Sequence, residues 1–301
     1  MKHTLKITFL MIFIFFVAQV IGLSIVDKYI DHKKTEVSGK ITFEALPYDL
    51  ERPEIKESTS YIWILSAILV GTALLLLLIK FKKISWWKLW FFLAVFSTMS
   101  IAFSAFMNHM LAAILAFAMA LLKIYKPATI VQNLTEIFIY GGLAAIFVPV
   151  INIFAAFMLL ILISIYDIIA VRQTKHMVTL AKFQAESKVF AGIFIPYSKK
   201  EKRKIIAKEE GIISGKGGGR IAVLGGGDIG LPLIFAGVVM KGLMLSNTAP
   251  IGFLKALIIP LFVTLALSFL LIGGKKDKFY PAMPYLTAGC AAGYLVILLF
   301  F

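Results

Sequence analysis

The chain has 301 residues, of which 60% are apolar and only 16% are charged. A soluble domain carries about 25% charged residues, and a core of this size could not hide so much apolar surface from water. This composition excludes a water-soluble enzyme and indicates a helical protein that crosses a membrane several times. The net charge of +15 then reports on membrane orientation rather than on a nucleic-acid partner, because basic residues collect in cytoplasmic loops.

Nine segments are apolar enough to span a bilayer, which takes about 20 residues each. The sequence therefore predicts an all-α polytopic membrane protein with nine transmembrane helices. Asn108 breaks the run between the third and fourth spans, and Asn152 marks a turn between the fifth and sixth. The predicted spans are Leu5–Val26, Tyr61–Ile79, Leu89–Met107, Met110–Tyr125, Ile130–Phe147, Val150–Val171, Ile221–Met240, Ile251–Ile272 and Ala282–Phe301.

A long basic segment, Arg172–Arg220, separates spans six and seven. It divides the chain into a six-span bundle (1–171), a cytoplasmic loop (172–220) and a three-span bundle (221–301). We expect Gln173–Phe190 to form an amphipathic helix on the membrane surface and the rest of the loop to be flexible. The other long polar segment, Asp27–Ser60, is predicted to be an external loop.

The lysines and arginines set the predicted orientation. With nine spans, 23 of the 31 lie on the side of the N-terminus and 8 on the other side. This asymmetry places the N-terminus in the cytoplasm and the C-terminus outside, in a multi-pass protein of the cell membrane. An eight-span topology gives the same division, but it would put four lysines between Lys80 and Lys88 outside, in a short loop where the rule acts strongly.

Three acidic residues fall inside predicted spans: Glu136, Asp167 and Asp228. Burying an ionisable group in a bilayer costs at least a few kcal/mol, so such residues are usually functional or paired. Asp167 lies about 7 Å, and Asp228 about 12 Å, from the ends of the same long loop, at 1.5 Å per helical residue. Both therefore lie toward one membrane face and could meet. A close carboxyl pair shares one proton, so one member can activate water while the other protonates a carbonyl oxygen, as in aspartic proteases.

Structural roles are the alternatives for these acids. Asp167 or Asp228 could cap or hydrogen-bond a neighbouring helix. Glu136 follows two polar residues near the start of span five, and a helix-terminal or interhelical polar contact is the favoured interpretation there.

The glycine-rich run before span seven needs a separate interpretation. Gly225–Gly230 contains G-x-G-x-x-G after an apolar stretch, which is the pattern of a dinucleotide-binding turn. However, no acid occurs between Asp228 and Asp277, and no βαβ unit surrounds the motif. Two interpretations remain: close helix packing through small residues, or a loosened backbone beside Asp228 that lets a peptide approach.

Three short motifs together resemble one family. Tyr166-Asp167, Gly225-Gly226-Gly227-Asp228 and Pro281-Ala282-Met283-Pro284 are similar to the Y-D, G-x-G-D and P-A-L motifs of presenilins and signal peptide peptidases. Met283 stands where that family usually has leucine, an apolar exchange of similar size. The order of the motifs, the nine spans and the long loop also match, so the resemblance covers the whole chain. The chain looks like an archaeal homologue of the family.

The resemblance implies an intramembrane aspartyl protease with Asp167 and Asp228 as catalytic residues. It implies that seven further residues shape the substrate site. It also implies transmembrane peptide substrates in a lipid bilayer, with a substrate stretch pairing as a β-strand along Arg220–Leu224. We expect no cofactor and no metal, because the four histidines show no ligand spacing. The site-shaping residues are Tyr166, Gly225, Gly227, Pro281, Ala282, Met283 and Pro284.

The competing function is a membrane transporter, or a cation or proton channel, that uses the same intramembrane acids. The sequence shows no repeat of the kind that transporters often contain, and the two aspartates lie away from the midplane. A membrane protease of the prepilin peptidase type is disfavoured by the proline motif of the last span. The sequence leaves open whether the chain forms a homo-oligomer or needs accessory subunits.

Overall fold

The computed structural model of the chain describes residues 4–81, 83–171, 189–196, 221–274 and 280–300. These residues form eleven α-helices, a few short 3-10 turns and one two-stranded sheet. The strands are β1 (Gly192–Pro196) and β2 (Ile221–Gly225). The helices are α1 (Leu5–Lys28), α2 (His32–Ser38), α3 (Ser60–Lys80), α4 (Ile84–Ser104), α5 (His109–Tyr125), α6 (Thr129–Phe147), α7 (Ile153–Ile169), α8 (Gly226–Ser246), α9 (Ala249–Ala256), α10 (Ile258–Gly273) and α11 (Met283–Phe300).

Seven helical segments within the described ranges are long and apolar enough to cross a bilayer. They are α1, α3, α4, α6, α8, the consecutive pair α9–α10, and α11. Helices α5 and α7 are also apolar, but each has only 17 residues. The architecture is therefore that of a multi-pass helical membrane protein, and the count of nine spans stays a prediction.

The two predicted breaks between apolar segments are present, and each one is built by an asparagine. The side chain of Asn108 accepts a hydrogen bond from the backbone N–H of Met110 (2.9 Å), at the start of α5. Asn152 accepts one from the N–H of Ala155 (2.8 Å), at the start of α7. Asparagine is a strong N-cap because its side-chain oxygen satisfies an N–H that has no partner within the helix.

The seventh predicted span is wrong at its start. The structure forms strand β2 from Ile221 to Gly225 and begins α8 only at Gly226. A short apolar run does not distinguish a strand from a buried helix, and the isoleucine and valine of this run favour a strand.

The long loop also differs from its prediction, because β1 lies within the part expected to be flexible. Strands β1 and β2 pair in antiparallel fashion, with Phe194 opposite Val223. The predicted helix at Gln173–Phe190 lies outside the described residues except for its last two positions, 189 and 190, which are not helical.

Helix α8 is the central element of the fold. It packs against α1, α6, α7, α10 and α11, and most of its length is apolar and buried, without a separate polar face. Strand β2 leads directly into α8, and β1 packs on α6. The sheet therefore lies at the end of the bundle where α6 and α8 begin.

The segment Asp27–Ser60, predicted to be an external loop, is fastened to the opposite end. The buried hydroxyl of Tyr29 donates to the backbone oxygen of Ile101 (2.7 Å), near the end of α4. Arg52 donates to the backbone oxygen of Glu44 (2.8 Å) and stacks over the Phe43 ring. Because this loop lies at the opposite end of the bundle from the sheet, substitutions in the loop can serve as controls for substitutions near the sheet.

Candidate active site

Asp167 lies on α7, two residues before the helix ends, and its side chain is only 6% exposed. Its Oδ2 atom accepts a hydrogen bond from the backbone N–H of Met283 (3.1 Å), and the backbone N–H of Ala282 also bonds to this carboxyl group. The structure thus brings Asp167 together with the proline-containing segment Pro281–Pro284, as the resemblance implied.

The start of α11 explains this contact. The N–H of Leu286 bonds to the oxygen of Ala282, so Met283 is the first helical residue. The first N–H groups of a helix have no partner within it, and the proline at position 284 has no N–H that needs one. The carboxyl group of Asp167 therefore supplies from a neighbouring helix the acceptor that an N-cap side chain would otherwise provide.

A second polar contact joins α7 to α11 one helical turn away. The hydroxyl groups of Ser164 and Thr287 are 2.8 Å apart, and Thr287 also lies within hydrogen-bonding distance of the backbone oxygen of Leu160 (3.4 Å). Sequence reasoning missed this contact. The available signal was the position of the two hydroxyl residues: Ser164 lies three residues before Asp167, and Thr287 lies three residues after Pro284, each in an otherwise apolar helix.

Asp228 is the third residue of α8 and is half-buried. Its carboxyl group folds back over Gly225: a β-carbon built on Gly225 would lie 3.2 Å from Oδ2 of Asp228. An acid in the first turn also suits the positive end of the helix dipole. The first glycine of the predicted motif therefore leaves the space that the carboxyl group occupies.

One backbone hydrogen bond is missing from α8 just after Asp228. Pro232 has no N–H for the backbone oxygen of Asp228, four residues earlier. The next oxygen, that of Ile229, accepts a hydrogen bond from the buried side chain of Gln19 on α1 (2.8 Å). Gln19 thus anchors the first turns of α8 from outside, which the sequence did not reveal.

The other two glycines of the motif have different surroundings. A β-carbon at Gly226 would overlap the hydroxyl group of Tyr140, on α6. A β-carbon at Gly227 would meet nothing within 4 Å, and Gly227 is exposed. The backbone at Gly227 is therefore open to close approach by another chain.

The edge of β1 that faces away from β2 is occupied by side chains of α6. The amide group of Asn133 donates to the oxygen of Phe194 and accepts from its N–H, both at 3.0 Å. Gln132 lies within hydrogen-bonding distance of the oxygens of Phe190 (2.9 Å) and Gly192 (3.0 Å). The side chains of these two residues bind the backbone groups of β1 that a neighbouring strand would otherwise bind on this side.

The outer edge of β2 is the other long edge of the sheet. Because Phe194 uses its backbone groups on Asn133, the pair Phe194–Val223 is a non-hydrogen-bonded pair of the ladder. The N–H and C=O groups of Val223 therefore point away from β1. Among the described residues, none forms a hydrogen bond with them.

The third intramembrane acid, Glu136, forms an interhelical contact, and this interpretation of the sequence is confirmed. Glu136 on α6 and Lys123 on α5 form an ion pair (2.6 Å) in which each side chain is 1% exposed. Lys123 lies near the end of the fourth predicted span, where the charge count places it on the cytoplasmic side, and the structure buries it beside Glu136.

The two aspartates lie on neighbouring helices at the same end of the bundle. Helix α7 packs against α8, and α11 packs against both. Helix α7 follows α6 after a tight turn and runs back toward the sheet, so its last turn lies at the end where α8 begins. Tyr166 is half-buried beside Asp167 on α7.

The comparisons with known proteins agree with this architecture. The sequence model of the family described as signal-peptide peptidase, presenilin aspartyl protease matches residues 45–301. A solved structure of a presenilin family intramembrane aspartate protease, in space group C222, is 19% identical and superposes with a TM-score of 0.62 over 97% of this chain and 98% of that one. A structure with the same description in space group P2 is 18% identical and gives a TM-score of 0.56 over 96% of each chain. No curated protein matches the chain.

The family match covers most of the chain, so the protein belongs to the signal-peptide peptidase, presenilin aspartyl protease family. It is accordingly an intramembrane aspartic protease that acts on membrane proteins within a bilayer. The comparisons give no support to the transporter alternative.

Proposed function

We propose that Asp167 and Asp228 are the catalytic pair of this protease. The observation that carries the proposal is the contact between the buried Asp167 carboxyl group and Met283, which joins two of the three family motifs. The third motif lies on a helix packed against both of theirs. The structural alternatives are a helix cap at Asp167 and a favourable helix-dipole position at Asp228, and neither of them explains why both carboxyl groups lie at the same end of the bundle.

The proposed reaction uses one shared proton. The ionised carboxyl group takes a proton from water, and the water oxygen attacks the carbonyl carbon of the scissile peptide bond. The protonated carboxyl group donates to the carbonyl oxygen. The tetrahedral intermediate then collapses: the C–N bond breaks, and the nitrogen takes the proton that the first carboxyl group received from water. A hydroxyl group of the intermediate gives its proton to the other carboxylate, so an acid and an amine are released and the pair again holds one proton.

We propose the outer edge of β2 as the place where a substrate strand adds. Its outward N–H and C=O groups at Val223 are those that an extended peptide needs, whereas Asn133 occupies the corresponding edge of β1. The strand leads directly into the open backbone at Gly227 and then to Asp228. A peptide paired with β2 would therefore pass toward the proposed catalytic pair.

We propose nine spans in total, with α5 and α7 as the two short ones, and a cytoplasmic N-terminus. The test is thiol labelling in intact cells, after replacement of the single native cysteine, Cys290. A cysteine at Val37, which is exposed on α2, should react with an impermeant reagent. A cysteine at Ser198, in the long loop, should react only after permeabilisation, and the reverse pattern would exclude this orientation.

The catalytic proposal is tested with purified full-length protein in bilayer nanodiscs and a single-span peptide, with products read by mass spectrometry. Asp167→Asn and Asp228→Asn should each abolish cleavage, because the pair acts as a unit. Asp31→Asn is the matched control: Asp31 caps α2 at the opposite end, and asparagine caps equally well. Cleavage at the wild-type rate by either of the two active-site variants would exclude the pair.

A further inference from the structure

A buried polar network lies beside the glycine turn that leads to Asp228, and the proposed reaction does not use it. It consists of Lys123 on α5 together with Gln132, Thr135, Glu136 and Tyr140 on α6. We call these five residues the α5–α6 network. All five side chains are buried, although the network lies in a membrane-spanning part of the fold.

Lys123 is held on several sides. Its ammonium group donates to Glu136 (2.6 Å) and to the hydroxyl group of Thr135 (2.9 Å), and it lies 5.8 Å from the centre of the Phe91 ring. A buried ion pair is weak evidence for stability, because apolar residues of similar volume often stabilise a protein as well or better. The network is therefore better explained by what it positions.

Glu136 connects the network in two directions. Its Oε1 atom accepts from Lys123 and from Gln132 (2.8 Å), and its Oε2 atom accepts from the hydroxyl group of Tyr140. Gln132 continues to the backbone of β1 at Gly192. On the other side, Tyr140 lies one helical turn after Glu136 on α6 and contacts α8.

Tyr140 lies directly against the glycine turn. Its hydroxyl group fills the space that a side chain at Gly226 would need, and its ring edge lies 3.3 Å from where a β-carbon at Gly230 would be. These two glycines are four residues apart, so they lie on one face of α8, with Asp228 midway between them in sequence.

We propose that Tyr140 is a positioning residue for the protease reaction, oriented by the Glu136–Lys123 ion pair so that its hydroxyl group fixes the backbone at Gly226 and thereby the carboxyl group of Asp228. This inference rests on the proposed function of Asp228. It explains why a tyrosine hydroxyl, a glutamate and a lysine are kept together inside an apolar bundle. It also explains why a glycine stands at position 226, the variable position of the G-x-G-D motif, because any side chain there would overlap Tyr140.

The first test removes only the hydroxyl group. Tyr140→Phe should lower kcat by about tenfold or more, because small displacements of a catalytic group cost large factors in rate. The KM should stay within about twofold, since Tyr140 is not expected to touch the substrate. The matched control is Tyr29→Phe, which also removes a buried hydroxyl group bonded to a neighbour, but at the opposite end of the bundle. It should change the melting temperature by a similar amount and leave kcat unchanged.

A second pair of variants tests the contact with Gly226 by non-additivity. Gly226→Ala should lower kcat in the wild-type background, where the new methyl group displaces Tyr140. In a Tyr140→Leu background the same change should cost little more, because the clash has been removed. Gly242→Ala, on the same helix where a β-carbon meets nothing, is the control. Equal losses from Gly226→Ala in both backgrounds would contradict the contact.

A measurement independent of activity separates this inference from the proposed function. Amide hydrogen exchange of the peptide containing Gly225–Gly230 should be faster in Tyr140→Phe than in wild type, and unchanged in Tyr29→Phe. If Asp228→Asn cleaves at the wild-type rate, the catalytic proposal fails, and the exchange result alone decides whether Tyr140 fixes the turn. If Asp228→Asn is inactive, a kcat of Tyr140→Phe within about twofold of wild type overturns the inference. Unchanged exchange at Gly225–Gly230 overturns it in either case.

Discussion

The backbone N–H of Met283 donates a hydrogen bond to Oδ2 of Asp167 across 116 residues of chain. The contact explains why the proline-containing segment before α11 and the aspartate near the end of α7 belong to one site. The segment delivers N–H groups that no residue within α11 can satisfy, and the aspartate is the acceptor. The arrangement holds the carboxyl group in place through the backbone, so the nature of the side chain at position 283 matters less than its N–H.

The first prediction concerns that N–H. Met283→Pro should lower kcat for peptide cleavage by about 10- to 100-fold, because it removes one of the two backbone N–H donors that position Asp167. Proline is well tolerated at the first position of a helix, so α11 should still form. Met283→Leu keeps the N–H and a similar volume, and it should lose far less activity. Steady-state cleavage in nanodiscs, together with the melting temperature of each variant, makes the comparison. Equal losses in the two variants would mean that the side chain is what matters.

The second prediction separates two glycines of one motif. Gly225→Ala should lower kcat, because its methyl group would lie 3.2 Å from Oδ2 of Asp228 and push the carboxyl group aside. Gly227→Ala meets no neighbour within 4 Å, so the protein should fold with an unchanged melting temperature. If a substrate backbone approaches there, this variant should raise KM instead. Full kinetic curves for both variants are the measurement, and a loss confined to kcat in Gly227→Ala would place the substrate elsewhere.

Much of the helical scaffold could be predicted from the sequence, because long apolar runs and capping asparagines are local signals. Asn108 and Asn152 end one run and begin the next by binding N–H groups two or three residues away. Glu136 could likewise be assigned to an interhelical contact, since an acid so close to other polar residues suggests a partner. What the sequence did not reveal is that the partner is Lys123.

Strand β1 and its pairing with β2 could not be predicted, because the stability of the sheet comes from residues far away in sequence. Strand β1 is held by Asn133, which lies 61 residues from Phe194, and by β2, which follows a long polar segment. From composition the residues of β2 are assigned to the start of a span, because an apolar strand and an apolar helix look alike over so short a length. The resemblance, by contrast, implied a strand edge along Arg220–Leu224, and β2 lies there. The position of Tyr140 against Gly226 is also a tertiary contact without a local signal.

The third prediction concerns the buried ion pair. Lys123→Met should lower the free energy of unfolding by about 3–5 kcal/mol, because it leaves the Glu136 carboxyl group buried without its cation. Lys126→Met, at an exposed lysine three residues later, should change it by less than about 0.5 kcal/mol. Thermal unfolding in detergent measures both.

The double variant Lys123→Met/Glu136→Leu extends this prediction. Because it removes both charges, it should recover much of the lost stability. It should not recover kcat, since the hydroxyl group of Tyr140 has then lost its acceptor. Recovery of both quantities together would mean that the pair serves only the stability of the fold.

The last prediction tests the outer edge of β2. Val223→Pro removes the N–H that points away from β1, while the ladder bonds between the strands use other residues. Proline is tolerated on strand edges, so the fold and the melting temperature should be preserved. Loss of one backbone hydrogen bond to a bound peptide strand should raise KM by about tenfold, the equivalent of about 1.4 kcal/mol, with a smaller effect on kcat. Val223→Thr keeps both backbone groups and a branched side chain, and it serves as the control. N-methylation of the substrate residue that pairs with position 223 removes the other bond of the pair, the one that the oxygen of residue 223 accepts, so it should weaken binding to the wild type and to the proline variant alike. If the proline variant keeps the wild-type KM, the substrate does not add to this edge, and the strand serves only to orient α8.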